Sequence, residues 1–79
     1  MAENIRPHRE FGRRMKAARI LCDLTALELA EKTGVKLSMI RQYEHGRFLP
    51  RAERLHKIAT ALDVSTDYLF GTREKEGVK

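Results

Sequence analysis

The sequence has few of the features that mark secreted, membrane-spanning or metal-binding proteins. Its 79 residues include one cysteine, Cys22, so an internal disulfide is excluded and a reducing compartment such as the cytoplasm is expected. No apolar run approaches the roughly 18 residues of a membrane span, and the N-terminal segment has no apolar signal region. The three histidines lack metal-ligand spacing, and no glycine-rich phosphate loop is present. We therefore expect one small domain with no cofactor, metal, small-molecule substrate or enzymatic activity.

Positive charge is concentrated in two segments of the chain. The sequence has 16 Lys or Arg against 11 Asp or Glu, which gives a net charge of +5. Residues 1–19 contain six basic and two acidic residues, and residues 36–57 again contain six and two, whereas residues 20–35 and 58–79 have a small acidic excess. Charge segregated in this way is typical of a surface that binds a polyanion such as nucleic acid. An ordinary solvated basic surface is the alternative.

Apolar spacing predicts five helices, and signals for strands are weak. The expected helices are about Arg9–Cys22, from the cap Thr25 to Thr33, Leu37–His45, about Arg51–Leu62, and a short fifth helix after the N-cap Ser65. Their expected core residues are Phe11, Met15, Ala18, Cys22, Leu29, Ala30, Thr33, Val35, Ile40, Tyr43, Leu55, Ile58, Ala59, Leu62, Tyr68, Leu69 and Phe70. The helices would form one domain over residues 9–71, between an N-terminal arm (residues 1–8) and a polar C-terminal tail (residues 72–79).

Local signals indicate how the second helix begins and ends. Thr25 and Glu28 have the spacing of a capping box, in which each side chain accepts a hydrogen bond from the other residue's backbone N–H. Gly34 ends the helix, because the next turn needs left-handed backbone that glycine adopts without a Cβ clash. Ala30 is expected where two crossing helices approach most closely, with Ile40 as the apolar anchor of the third helix. This spacing of a small residue, a glycine and an apolar residue is the helix-turn-helix pattern.

The third helix has two chemically different faces. Helical spacing separates a core face, Ile40 and Tyr43, from an exposed face, Leu37, Ser38, Arg41, Gln42 and His45. In a DNA major groove, Gln42 can pair with adenine, and Arg41 can pair with guanine or contact a phosphate. Ser38 can bond to several base edges, and Leu37 can pack on a thymine methyl. A solvated helix face is the alternative interpretation.

With these features the chain resembles the Cro and phage-repressor type of helix-turn-helix domain, the XRE family. The resemblance covers about residues 11–70 and is carried by the stretches LELAEKTGV, IRQYEHGRFLP and LHKIATALDVSTDYLF. It implies an all-α, compact five-helix, lambda-repressor-like fold, in which the second and third helices form the helix-turn-helix and the third reads DNA. It also implies a two-fold homodimer on operator DNA, and a largely buried ion pair between Arg19 and Glu44.

The chain departs from the family pattern at several positions. Ala26 stands where the family commonly has a glutamine that contacts the DNA backbone. Lys36 replaces a common Ser or Thr cap, which weakens the cap but suits a phosphate contact. Ile20, Leu21 and Leu27 are apolar where the family is usually polar or acidic. We expect either a partner subunit, or the N-terminal arm or fifth helix, to cover these three side chains.

The sequence therefore predicts a cytoplasmic, sequence-specific regulator of transcription, a repressor that binds double-stranded operator DNA as a homodimer. The residues predicted to read bases are Leu37, Ser38, Arg41 and Gln42. The residues predicted to contact phosphates are Thr25, Ala26, Lys36, Arg47 and Arg51, with Arg13 and Arg14 as weaker candidates. The alternative is an antitoxin-like or anti-repressor module that uses the same fold to bind a protein, and the three surplus apolar residues motivate it.

Overall fold

The computed structural model describes residues 6–72 and contains five helices within them. They are α1 (Arg9–Leu21), α2 (Ala26–Thr33), α3 (Leu37–His45), α4 (Ala52–Leu62) and α5 (Thr66–Phe70). The all-α, five-helix prediction is therefore confirmed, with boundaries within about one residue of those expected. Residues 1–5 and 73–79, which include most of the predicted arm and of the predicted tail, lie outside the described residues.

The turn between α2 and α3 forms as the local signals predict. The Glu28 N–H donates to Thr25 Oγ1 at 3.0 Å, and the Thr25 N–H donates to Glu28 Oε1 at 2.8 Å. This capping box stabilises the start of α2, on the order of 1 kcal/mol. Gly34 has φ +75°, and its N–H donates to the Ala30 carbonyl at 2.8 Å. Because the left-handed glycine stops α2, the chain turns and α3 begins at Leu37.

One apolar core connects the five helices. Its buried side chains are Phe11, Met15, Ala18, Leu29, Ala30, Val35, Ile40, Tyr43, Ile58, Ala59, Leu62 and Leu69. Leu55 and Tyr68 are half-buried at its edge. The helix α3 packs against both α1 and α2, and α4 packs against α2 and α5. Since burial of a large apolar side chain contributes about 1.5–3 kcal/mol, this core fixes one flank of α3 and leaves the other free.

Two residues predicted to be in the core lie at its surface. The helix α1 ends at Leu21, and Cys22 is the exposed residue that follows it. The prediction for Cys22 is wrong because this residue lies at the very end of α1 and remains exposed, although its N–H still donates to the Ala18 carbonyl at 3.1 Å as in a helix. Its Sγ instead donates to the Leu62 carbonyl at 3.4 Å. Phe70 is 43% exposed, although its ring centroid lies 5.1 Å from that of Phe11.

The surplus apolar residues of α1 and α2 remain exposed. Ile20, Leu21 and Leu27 have 55%, 80% and 52% of their surface accessible. The expectation that α5 covers them is wrong, because α5 packs against α1 and α4 through the buried Leu69 and leaves these side chains open. Residues 6–8, the described part of the arm, contact the C-terminal end of α3 instead.

Candidate nucleic-acid interface

The helix α3 is fixed by one face and presents the other to solvent. Ile40 is completely buried and Tyr43 is 2% exposed. The Tyr43 hydroxyl accepts a hydrogen bond from Arg54 Nη1 at 3.0 Å, so the polar end of this buried ring also has a partner. On the opposite face, Ser38 and Arg41 are exposed. Ser38 and Arg41 are therefore accessible, while the helix itself is held by apolar packing.

Leu37 and Gln42 are less accessible than their places on the predicted exposed face suggest. Both are half-buried, and Leu37 packs partly against the core. This packing gives a structural reason for a leucine at the start of α3, beside any contact with DNA. Partial burial also restricts the rotamers of Gln42, which lowers the entropy that the side chain would lose on forming a bidentate contact.

The basic candidates for phosphate contacts lie at both ends of α3 and before α4. Lys36 precedes α3 and its side chain makes no capping hydrogen bond, as expected from the missing Ser or Thr. Arg47 follows the left-handed Gly46 (φ +85°) that ends α3, and Arg51 is the N-cap of α4. All three cationic side chains are exposed. The fold thus places positive charges on both sides of the exposed face of α3.

The N-terminus of α2 has fewer free backbone N–H groups for a phosphate contact than the sequence suggests. A helix begins with four N–H groups that have no acceptor within the helix. Here the capping box uses the N–H groups of Thr25 and Glu28, which leaves those of Ala26 and Leu27. The predicted role of Thr25 as a backbone donor to phosphate is therefore weakened, because its N–H already donates to the Glu28 carboxylate.

A two-pronged ion pair connects α1 to α3. Arg19 Nε donates to Glu44 Oε2 at 2.7 Å, and Arg19 Nη2 donates to Glu44 Oε1 at 3.1 Å. A third bond runs from Arg19 Nη1 to the Leu24 carbonyl at 2.8 Å. The two side chains are only 12% and 9% exposed. Because the pair is shielded from water and well aligned, it fixes the position of α3 relative to α1.

A basic cleft lies beside the exposed face of α3 and was not predicted as a unit. We call it the α1–α3 cleft. It is an open space of about 780 Å³ lined by Arg6, Arg9, Arg13, Lys16, Arg41, Gln42, Glu44, His45 and Arg47. Sequence analysis recognised the basic excess of residues 1–19, but only the packing of α1 against α3 shows that these charges adjoin the α3 face.

The charges around the cleft affect the histidine at its edge. Removal from water lowers the pKa of the His45 imidazole, and the positive charges of Arg6 and Arg47 lower it further. Both effects favour the neutral imidazole, which can both donate and accept a hydrogen bond.

The fold and this surface together define a helix-turn-helix module of the lambda-repressor-like type. A helix-turn-helix family model matches residues 15–69, which include α2 and α3 entirely. The chain belongs to this helix-turn-helix family, of the XRE or Cro/CI type, as the sequence motifs predict.

Three proteins that are named as transcriptional regulators or repressors are similar to the chain. The "Uncharacterized transcriptional regulator in ATPase CF(0) region" of Rhodospirillum rubrum is 39% identical over 64 residues, 81% of this chain. The "Cryptic phage CTXphi transcriptional repressor RstR" of Vibrio cholerae serotype O1 is 43% identical over 47 residues, 60% of this chain. The "HTH-type transcriptional regulator ImmR" of Bacillus subtilis is 36% identical over 64 residues, 81% of this chain.

The similarity covers only part of each relative. The matched regions span 59%, 42% and 50% of these three proteins, in the same order.

Within residues 6–72 there is no helix long and apolar enough to cross a membrane. The same residues contain no group of three or more His, Cys, Asp or Glu side chains that could hold a metal ion.

Proposed function

We propose that the protein is a sequence-specific regulator of transcription that binds double-stranded DNA through α3. The observation that carries this proposal is the division of α3 into a buried face and an accessible face that bears Ser38, Arg41 and Gln42. These side chains match the hydrogen-bonding groups of base edges in a major groove, which is wide enough to admit a helix. The proposed base-reading residues are Leu37, Ser38, Arg41 and Gln42.

Contacts with the DNA backbone would position α3 in the groove. Exposed cations before and after α3, together with the free amides that open α2, supply donors on both sides of the reading face. The proposed phosphate contacts are Ala26, Lys36, Arg47 and Arg51, with a smaller contribution from Thr25. Such contacts are independent of sequence, and they would account for most of the affinity for random DNA.

Repression by a homodimer is the mode of regulation that we favour. The similar protein of Vibrio cholerae is named a transcriptional repressor, and a two-fold dimer would read two half-sites about one helical turn, roughly 34 Å, apart. The exposed Ile20, Leu21 and Leu27 provide apolar surface that a partner could cover. A regulator of this kind would act in the cytoplasm, and the similar proteins, all named as regulators, give no support for an enzymatic activity.

Selection of bound DNA from a random duplex pool by the purified chain would test this function. A consensus with two-fold symmetry is expected, with half-sites about one turn apart. A consensus without symmetry would support DNA reading but contradict the dimer. Recovery of no enriched sequence would contradict sequence-specific binding.

Replacement of Gln42 by alanine is expected to weaken binding to the selected site by about 1–3 kcal/mol, because one bidentate base contact is lost. Fluorescence anisotropy with the site, and with variants of it at single base pairs, would measure the change. The loss should disappear when the base pair read by Gln42 is also changed. Equal losses on selected and scrambled duplexes would contradict a base-reading role.

Replacement of Arg47 by alanine is expected to weaken binding to all duplexes alike. Removal of one phosphate contact should reduce the slope of log affinity against log salt by about 0.9. Titrations of random duplex at several salt concentrations would measure the slope. The control is Lys32→Ala, which removes one positive charge from the groove between α2 and α4. It should leave the slope unchanged. An unchanged slope for Arg47→Ala would remove it from the phosphate contacts.

The exposed apolar residues also favour a second candidate, an antitoxin-like or anti-repressor module that binds a protein. Gel filtration of the chain followed by titration with random duplex separates the two functions. Strong, salt-dependent binding supports the regulator. Absence of binding at low salt supports the protein-interaction module.

A further inference from the structure

The cations of the α1–α3 cleft are not all explained by the fold or by the proposed reading face. Arg6 Nε donates to the His45 carbonyl at 2.7 Å, so this arginine serves the C-terminal end of α3. Arg13 Nη2 lies 2.8 Å from Glu10 Oε2, so this arginine already has a carboxylate partner on α1. Arg41 belongs to the proposed reading face, and Arg47 is already a proposed phosphate contact. Arg9 and Lys16 remain, and both are exposed.

Helix stability does not account for Arg9. It is the first residue of α1, where the helix dipole disfavours positive charge by about 0.3–1 kcal/mol. Within residues 6–72 no carboxylate lies within 4.0 Å of the Arg9 or Lys16 side chain to offset their charges. Among the described residues, the one carboxylate that lines the cleft is that of Glu44, and it is engaged by Arg19. Arg9 and Lys16 therefore give the α1 wall exposed positive charge that has no paired carboxylate among the described residues.

We propose that the α1–α3 cleft binds the phosphodiester backbone of DNA, and that Arg9 and Lys16 are phosphate-contacting residues. The proposal rests on the proposed function and extends it, because it adds a wall of α1 to an interface otherwise formed by α2, α3 and the start of α4. The footprint would then include phosphates that flank the base pairs read by α3.

The shape of the cleft favours a nucleic-acid backbone over a small anion. The space is open and about 780 Å³ in volume, and its cations come from α1, from α3 and from the segments just before α1 and just after α3. A row of phosphates can contact such spaced charges in succession, whereas one small anion could reach only a few of them. The cleft also continues directly into the reading face, since Arg41 and Gln42 belong to both.

The N-terminal arm keeps this wall in place. The His8 N–H donates to the Gly46 carbonyl at 2.9 Å, next to the bond from Arg6 to the His45 carbonyl. A Cβ at Gly46 would lie 2.7 Å from the Cα of Arg9, so the backbones of the two residues are in close contact. Since the start of α1 is tied to the end of α3, Arg9 is held at a fixed place beside the α3 face before DNA binds.

The experiment compares two double variants that remove the same charge. Arg9→Gln/Lys16→Gln removes the two unpaired cations of the α1 wall, and Lys32→Gln/Lys57→Gln removes two exposed cations of the groove between α2 and α4. Each full-length chain is titrated with a labelled random-sequence duplex at salt concentrations between about 50 and 200 mM. Circular dichroism checks that both variants are folded, which is expected because all four positions are exposed.

The α1 variant should reduce the slope of log affinity against log salt by about two, about 0.9 for each lost phosphate contact. The loss of affinity between about 50 and 200 mM salt would then be about tenfold smaller than for the unmodified chain. The control variant should keep the full slope. Equal slopes for the two variants, whether both unchanged or both reduced, would overturn the cleft as a phosphate site.

Failure of the proposed function gives a different result. If the unmodified chain binds no duplex even at the lowest salt, the regulator function fails and the cleft proposal fails with it. If the unmodified chain binds, and Arg47→Ala reduces the slope while Arg9→Gln/Lys16→Gln does not, the regulator function stands and only the cleft proposal is lost.

Discussion

Replacement of Glu44 by alanine is expected to lower the free energy of unfolding by about 3–5 kcal/mol, because it leaves the guanidinium of Arg19 in a shielded site without its carboxylate. The Arg19 side chain is 12% exposed and would keep only the Leu24 carbonyl as an acceptor. Small domains are stable by about 5–15 kcal/mol, so this loss would remove a large part of the total. Urea unfolding followed by circular dichroism would measure it.

Two further variants show whether the loss of stability comes from the unpaired, shielded charge of Arg19. Glu53→Ala breaks an exposed pair, in which Lys57 Nζ lies 3.9 Å from a carboxylate that is 85% exposed, and should cost less than about 1 kcal/mol. Arg19→Met combined with Glu44→Leu removes both charges and should be less destabilising than Glu44→Ala alone. If the single variant unfolds at the same urea concentration as Glu53→Ala, the pair has no special role in stability.

Replacement of Gly12 by alanine is expected to destabilise the fold by about 3 kcal/mol, although alanine is the better helix former by about 1 kcal/mol. Gly12 is buried within α1 where it meets α3. A Cβ there would overlap the Glu44 carbonyl oxygen and would lie 2.8 Å from the Tyr43 carbonyl oxygen. Both atoms belong to the backbone, so no side chain can rotate away and the two helices must separate.

Gly34→Ala is the matched control for this effect. A Cβ at Gly34 meets no atom within 4 Å, so the substitution causes only the backbone strain of a φ of +75°, about 1–2 kcal/mol. Thermal or urea unfolding should therefore rank Gly12→Ala as the more destabilising of the two. A gain in stability from Gly12→Ala would show that α1 and α3 are farther apart than the structure indicates.

Local sequence signals predicted most of the fold because each depends on a few neighbouring residues. The capping box at Thr25 and Glu28 and the left-handed Gly34 are determined by backbone hydrogen bonding and sterics within one turn. The end of α3 at the left-handed Gly46 follows from the same chemistry. Cys22 was misplaced because periodicity indicates the helix face on which a residue lies, but not whether other helices cover that end of α1.

The candidate interface was predicted less completely, because it depends on which helices pack together. The residue types of α3 indicated an accessible polar face, but the partial burial of Leu37 and Gln42 follows from contacts with distant parts of the chain. The close approach at Gly12 and the α1–α3 cleft likewise require α1 to lie against α3. Spacing along one helix contains no information on that arrangement.

The separation of the two flanks of α3 has a consequence for how such a protein diversifies. Ile40 and Tyr43 keep the helix in place, whereas Ser38 and Arg41 have little part in holding the molecule together. New side chains at the latter two positions can therefore arise without a penalty to folding. The DNA sequence that is recognised can therefore change while the fold stays the same. Proteins with this architecture can acquire many specificities by exchanging very few amino acids.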